Sequence, residues 1–128
     1  SKNMQKIITP LTTYMKDILS LVSQRDSYIF SYDGIKPLNC FSQLKKRLIN
    51  YSGVTNWTYH DFRRSMGTFL GDNGFNKDKI MTVLNHKDSS VTSIYNRSNY
   101  FKQKLEALNF WNEHLINKDI GGGRAYNV

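Results

Sequence analysis

Apolar side chains recur at three-to-four spacing along most of this chain, and each recurring stretch is cut short by glycine, proline or a polar capping residue. That rhythm matches the helical turn, so the chain is constrained to short amphipathic helices that bury one face each against their neighbours. The first helix carries Leu11, Tyr14, Met15, Ile18, Leu21 and Val22, and ends near Gln24. A second carries Phe41, Leu44, Leu48 and Ile49 after an Asn39 cap, with Lys45, Lys46 and Arg47 on its other face and Ser52-Gly53 as its stop. A third starts around His60, after Thr58 or Tyr59, with Phe62, Met66, Phe69 and Leu70 inward and Gly71 to Gly74 terminating it. A fourth follows the Asn76 cap with Ile80, Met81, Val83 and Leu84, and breaks at Asn85-His86-Lys87-Asp88. Ser89-Ser90 caps a helix through Val91 and Ile94 to Tyr95, and a last helix from Ser98 presents Phe101, Leu105, Leu108, Trp111 and Leu115.

Strand signals are few. Lys6 to Leu11 reads as the end of a short strand stopped by Pro10, and Tyr28-Ile29-Phe30, before Asp33-Gly34 and Pro37, is a connector with at most one brief strand. The expected fold is therefore mainly α with a small β element (α+β), a helical bundle opened by an N-terminal strand or hairpin. Residues 1–117 are expected to fold together, with 118–128, which contains the Gly121-Gly122-Gly123 run, as a flexible tail.

Composition narrows the function. A chain of 128 residues suits one domain, and its 39% hydrophobic and 13% aromatic content excludes a disordered polyelectrolyte. Lys+Arg 18 against Asp+Glu 10 gives a net charge of +8, which favours a polyanionic partner. The single cysteine, Cys40, permits no internal disulfide, so a reducing, cytoplasmic setting is expected. No run approaches the roughly 18 apolar residues of a membrane span. There is no P-loop, no H-E-x-x-H, and no C-x-x-C or H-x-x-x-H spacing for zinc, so neither cofactor nor metal is expected.

Three short motifs carry chemistry: His60-Asp61-Phe62-Arg63, Leu84-Asn85-His86, and Tyr95. His60 and Arg63, three positions apart, share one face of a helix and can grip a single anion. Each motif alone is common, and taken singly they read as a solvated helix face, a helix-terminal histidine and a packing tyrosine. In this order, with His86 23 positions after Arg63 and Tyr95 nine after His86, they resemble the H-x-x-R, L-x-H, Tyr signature of the tyrosine recombinases, or phage integrases. Lys2 to Leu11 also resembles that family's β-hairpin, whose lysine precedes a strand ending in P-L; Lys2 matches by position and Lys6 less well. The segment after Tyr95 is similar to the prophage and genomic-island branch, and the likeness spans Lys2 to Leu115. Tyr100, 14 positions after His86, does not fit the spacing.

The resemblance implies site-specific DNA cleavage and rejoining through a 3′-phosphotyrosine. A phosphodiester attacked by a phenolic oxygen gathers charge on its non-bridging oxygens, and Arg63 offers a permanently charged planar fork for them. Tyrosine is only about one part in a thousand phenolate at pH 7, roughly 4 kcal/mol short of its reactive form, so neighbouring cations and a base must assist Tyr95. By resemblance His60 is the base-like partner and His86 a phosphate hydrogen-bond donor, although the residues themselves do not separate these roles, and Lys2 protonates the leaving 5′-oxygen. Lys45, Lys46, Arg64 and Lys87 are candidate DNA-backbone contacts; their bland reading is solvated surface.

The family's further arginine, in a T-G-x-R-x-x-E motif, is absent from these residues. The chain thus resembles the C-terminal portion of a catalytic domain, by truncation or as an arginine-deficient relative, and is expected to be inactive alone. Implied partners are double-stranded attachment-site DNA, a homo-tetramer on that DNA with a monomer off it, and an excision factor or host DNA-bending protein, in a bacterial cytoplasm near the nucleoid. The leucine and tryptophan stripe of the last helix reads as core packing or as a surface docking on a neighbouring protomer. The rival reading is a non-catalytic basic helical module that binds DNA or a protein partner.

Overall fold

The computed structural model describes residues 7–22, 27–85 and 97–122. Within them five helices follow one another: α1 (Thr13–Ser20), α2 (Phe41–Ser52), α3 (Tyr59–Asp72), α4 (Lys77–Val83) and α5 (Arg97–Gly122). The mainly helical expectation holds, but among the described residues no strand is formed. Residues 7–12 run irregularly: Pro10 has no N–H to give a ladder, and the Ile8 carbonyl accepts a hydrogen bond from the Lys104 ammonium on α5. The preceding residues of the expected hairpin, Lys2 and Lys6 included, and the expected helix from Ser89-Ser90 to Tyr95 lie outside the described residues. In the connector, Asp33 Oδ1 accepts from the backbone of Ile35 and Lys36 and from the Ser31 hydroxyl, so a side-chain turn replaces any strand there.

Local chemistry sets the helix ends. Asn76 caps α4 by accepting from Lys79 N at 2.8 Å, as its position suggested. Gly53, at φ 72°, closes α2 in the left-handed conformation that glycine adopts without strain. The α2 cap is Cys40 rather than Asn39, whose amide oxygen is taken by the Cys40 thiol at 3.2 Å. As expected, α3 ends within Gly71–Gly74: the helix runs to Asp72, and the chain leaves through Gly74 at φ 89° with Phe75 N bonded back to Leu70 O. The last helix continues unbroken past Asn117 to Gly122.

The core lies where α3, α4 and α5 meet. Leu70 (0% exposed), Val83, Ala107 and Leu108 are its buried centre, ringed by Met15, Met66, Phe69, Phe75, Ile80, Leu84 and Phe110. Phe69 stacks on His114 at 4.0 Å and meets Phe110 and Trp111 at 5.4 Å, so with Leu108 buried the middle of the α5 apolar stripe packs within this chain, while Phe101 at its start stays 44% exposed. Lys79 pairs with Glu106 at 2.9 Å across α4 and α5. By contrast α2 keeps Phe41 and Leu48 exposed, and its described contacts are with the start of α3: Tyr59 donates its hydroxyl to the Phe41 carbonyl, and the two rings pack edge-on.

One polar contact ties the first helix to the last. The buried Thr12 hydroxyl accepts from Met15 N, capping α1, and donates to the buried Asn112 amide oxygen of α5. Thr12→Ala removes the cap and strands a buried acceptor, for an expected loss of about 2 to 4 kcal/mol. In a double-mutant cycle with Asn112→Ala, read by urea denaturation, a coupling of about 1 to 2 kcal/mol is expected, and simple additivity would contradict the linkage.

Candidate functional site

The positions 60, 63, 67 and 70 fall on one stripe of α3, because each pair seven apart returns to nearly the same azimuth. Leu70 is buried in the core, so this stripe is turned toward α4. Gly67 lies beside α4 at close range: a Cβ built there would sit 3.6 Å from Leu84 Cδ1 and 3.8 Å from Ile80 Cγ2. One turn earlier, Arg63 reaches the end of α4 and donates from Nη2 to the carbonyl of Leu84. A cation at the carbonyl end of a helix is electrostatically favoured, since the last carbonyls have no intrahelical donors. A guanidinium carries five N–H donors and this bond uses one.

His60 stands one turn before Arg63, exposed, in the first turn of α3. That turn is built by a capping box: Asp61 accepts from Thr58 N at 2.7 Å, and the Thr58 side chain accepts in return from the Asp61 backbone. The bond from Thr58, helped by Arg64 and His60 nearby, holds the Asp61 carboxyl below the usual carboxylate range. Arg64 forms a 3.7 Å ion pair with Asp61. Thus the acidic residue between the two motif members is committed to the helix cap, and His60 and Arg63 remain on the α4-facing stripe.

Among the other candidates, Lys45 lies over the Trp57 ring at 5.1 Å, a contact worth about 0.5 to 1 kcal/mol at an exposed site and forfeited if the ammonium turns to a phosphate. Lys46 and Arg64 are exposed. Lys2, His86, Lys87 and Tyr95 lie outside the described residues. Phe62, expected to face inward, is instead 58% exposed, and its ring clusters with those of Trp57 and Tyr59 at 5.3 to 6.4 Å around the start of α3, a grouping the sequence reading did not single out. The only advance signal was their crowding into six positions. No group of three or more His, Cys, Asp or Glu among the described residues is placed to hold a metal, and no described helix is long and apolar enough to cross a membrane.

The cap makes a pH prediction. Because the folded-state pKa of Asp61 is depressed, its contribution is present above the ordinary carboxylate range and lost as pH falls through the lowered value. Denaturation profiles between neutral and acid pH should show part of this loss disappearing in Asp61→Asn. An unchanged acid limb would contradict the role given to the cap.

Comparison with known proteins agrees with the motif pattern. The model of the phage integrase family matches residues 1–102, while searches of curated proteins and of solved structures return no match. The matched span takes in His60, Arg63, His86 and Tyr95 together, and the chain belongs to the phage integrase family.

Proposed function

We propose that this chain supplies the nucleophile and part of the phosphate clamp of a tyrosine-type site-specific DNA recombinase. The observation that carries the reading is the Arg63 to Leu84 bond, which joins the H-x-x-R helix to the first residue of the Leu84-Asn85-His86 tripeptide. Two motifs separated by 21 positions in sequence are thereby one local assembly.

In this reading Tyr95 Oη attacks the scissile phosphorus and the 5′-oxygen leaves, forming a 3′-phosphotyrosyl bond that conserves the phosphodiester for rejoining. Arg63 binds the non-bridging oxygens as charge builds there. His60 takes up the tyrosine proton, His86 donates to a phosphoryl oxygen, and Lys2 protonates the departing oxygen. Lys46, Arg64 and Lys87 contact the duplex backbone, with Lys45 joining them at the expense of its indole contact. Phosphate contacts of this kind position the duplex without reading its sequence. Reaction occurs on attachment-site DNA within a homo-tetramer, assisted by an excision factor or a host DNA-bending protein, in a bacterial cytoplasm. No metal or nucleotide enters any step. The family's T-G-x-R-x-x-E arginine is not among these 128 residues, which alone are expected to bind duplex DNA without cleaving it.

With the product of the complete open reading frame and a nicked suicide duplex, a covalent protein–DNA complex is expected, and Tyr95→Phe should abolish it. Trapping that survives Tyr95→Phe overturns the nucleophile assignment. Arg63→Ala should lower the rate of covalent complex formation by about 100-fold or more, the scale set by single preorganised donors, while duplex affinity changes little. Equal loss of binding and cleavage would make Arg63 a binding residue, and duplex binding with no covalent complex under any condition would favour a non-catalytic DNA-binding module.

A further inference from the structure

Lys104, on α5, has no part in the motifs above, yet its ammonium bridges two distant segments. Its Nζ donates to the Ile8 carbonyl at 2.9 Å and to Asn85 Oδ1 at 2.7 Å. Both acceptors are neutral oxygens, 96 and 19 positions away in the chain. Asn85 follows Leu84, the C-terminal cap of α4, and it holds φ 57°, a left-handed conformation that asparagine tolerates better than most residues. Its N–H is bonded to Thr82 O at 3.1 Å.

The geometry matters because the Leu84 carbonyl and the Asn85 N–H belong to one rigid peptide plane. Whatever fixes Asn85 fixes the direction of that carbonyl, and that carbonyl is where Arg63 rests. Arg63 from α3 thus meets the carbonyl of this peptide unit, while Lys104 from α5 holds the side chain of the residue that carries its N–H. We propose that Lys104 is a positioning residue, which locks the left-handed turn at Asn85 and so aims Arg63 through the Leu84 carbonyl. The consequence for DNA cleavage rests on the reading of Arg63 as a phosphate ligand; the positioning itself does not. Burial moves the Lys104 pKa below the ordinary lysine range, in keeping with an ammonium partly withdrawn from water to make these bonds.

Two readouts keep the outcomes separate. In the 128-residue chain, nitrogen NMR of the Arg63 guanidinium should show hindered rotation. Lys104→Met, which keeps the apolar stem, should release it, Lys104→Arg should restore much of it, and Asn85→Gly, which keeps the left-handed turn but removes the acceptor, should release it as Lys104→Met does. Far-UV circular dichroism identifies any variant that fails to fold, and the second release variant then decides. Unchanged Arg63 rotation in folded Lys104→Met or Asn85→Gly overturns the proposal. In the complete protein, Lys104→Met should slow covalent complex formation about tenfold at saturating suicide duplex, with affinity unchanged within about twofold, and add no further loss in an Arg63→Ala background. An equal loss in both backgrounds overturns the link from Lys104 to Arg63. Release of Arg63 by NMR with no cleavage by the parent protein sustains the positioning and defeats only the recombinase reading.

Discussion

The burial of Leu70 is the constraint from which the candidate site follows. A leucine taken wholly out of water stabilises by about 1.5 to 3 kcal/mol, and its truncation in a packed core costs about 2.7 to 5 kcal/mol. A guanidinium bond to a carbonyl at a partly wet surface contributes less than that on balance. The core therefore fixes the rotation of α3 about its axis, and Arg63, seven residues before Leu70, is turned to the end of α4 as a result. Gly67 between them faces Leu84 and Ile80, where an added methyl group would make ordinary van der Waals contact.

Electrostatics then divides the work at the start of α3. Asp61 sits between His60 and Arg63 in sequence and would offset their charge if it faced the same anion. Its carboxylate is instead spent on Thr58 N and on Arg64, which suits the positive end of the helix dipole. The acidic residue of the motif thus stabilises the helix that carries the basic ones.

Much of this was legible locally. The caps at Asn76 and Thr58, the left-handed exit at Gly53 and the shared face of His60 and Arg63 each follow from residues within a few positions of one another. What sequence did not reveal depends on distant pairs. Thr12 and Asn112 are 100 positions apart, and Lys104 reaches Ile8 across 96, so neither contact leaves a periodic or compositional trace. In the described part of the strand expected from Lys6 to Leu11 no ladder forms, and the Ile8 carbonyl accepts from a lysine of α5 that sequence could not place there. The apolar stripe of α2 was read as core-facing, but Phe41 and Leu48 are exposed, and periodicity cannot say which neighbour a helix meets. Asn85 did carry a signal, since asparagine is second only to glycine in the left-handed position after a helix.

The central claim is that the assembly of Arg63 with the end of α4 serves a tyrosine nucleophile at position 95. Its most direct test is peptide mapping by mass spectrometry of the complex trapped on a nicked suicide duplex. The account predicts that the nucleotide-bearing peptide carries its modification on Tyr95. An adduct on Tyr100 or on any other residue would contradict it.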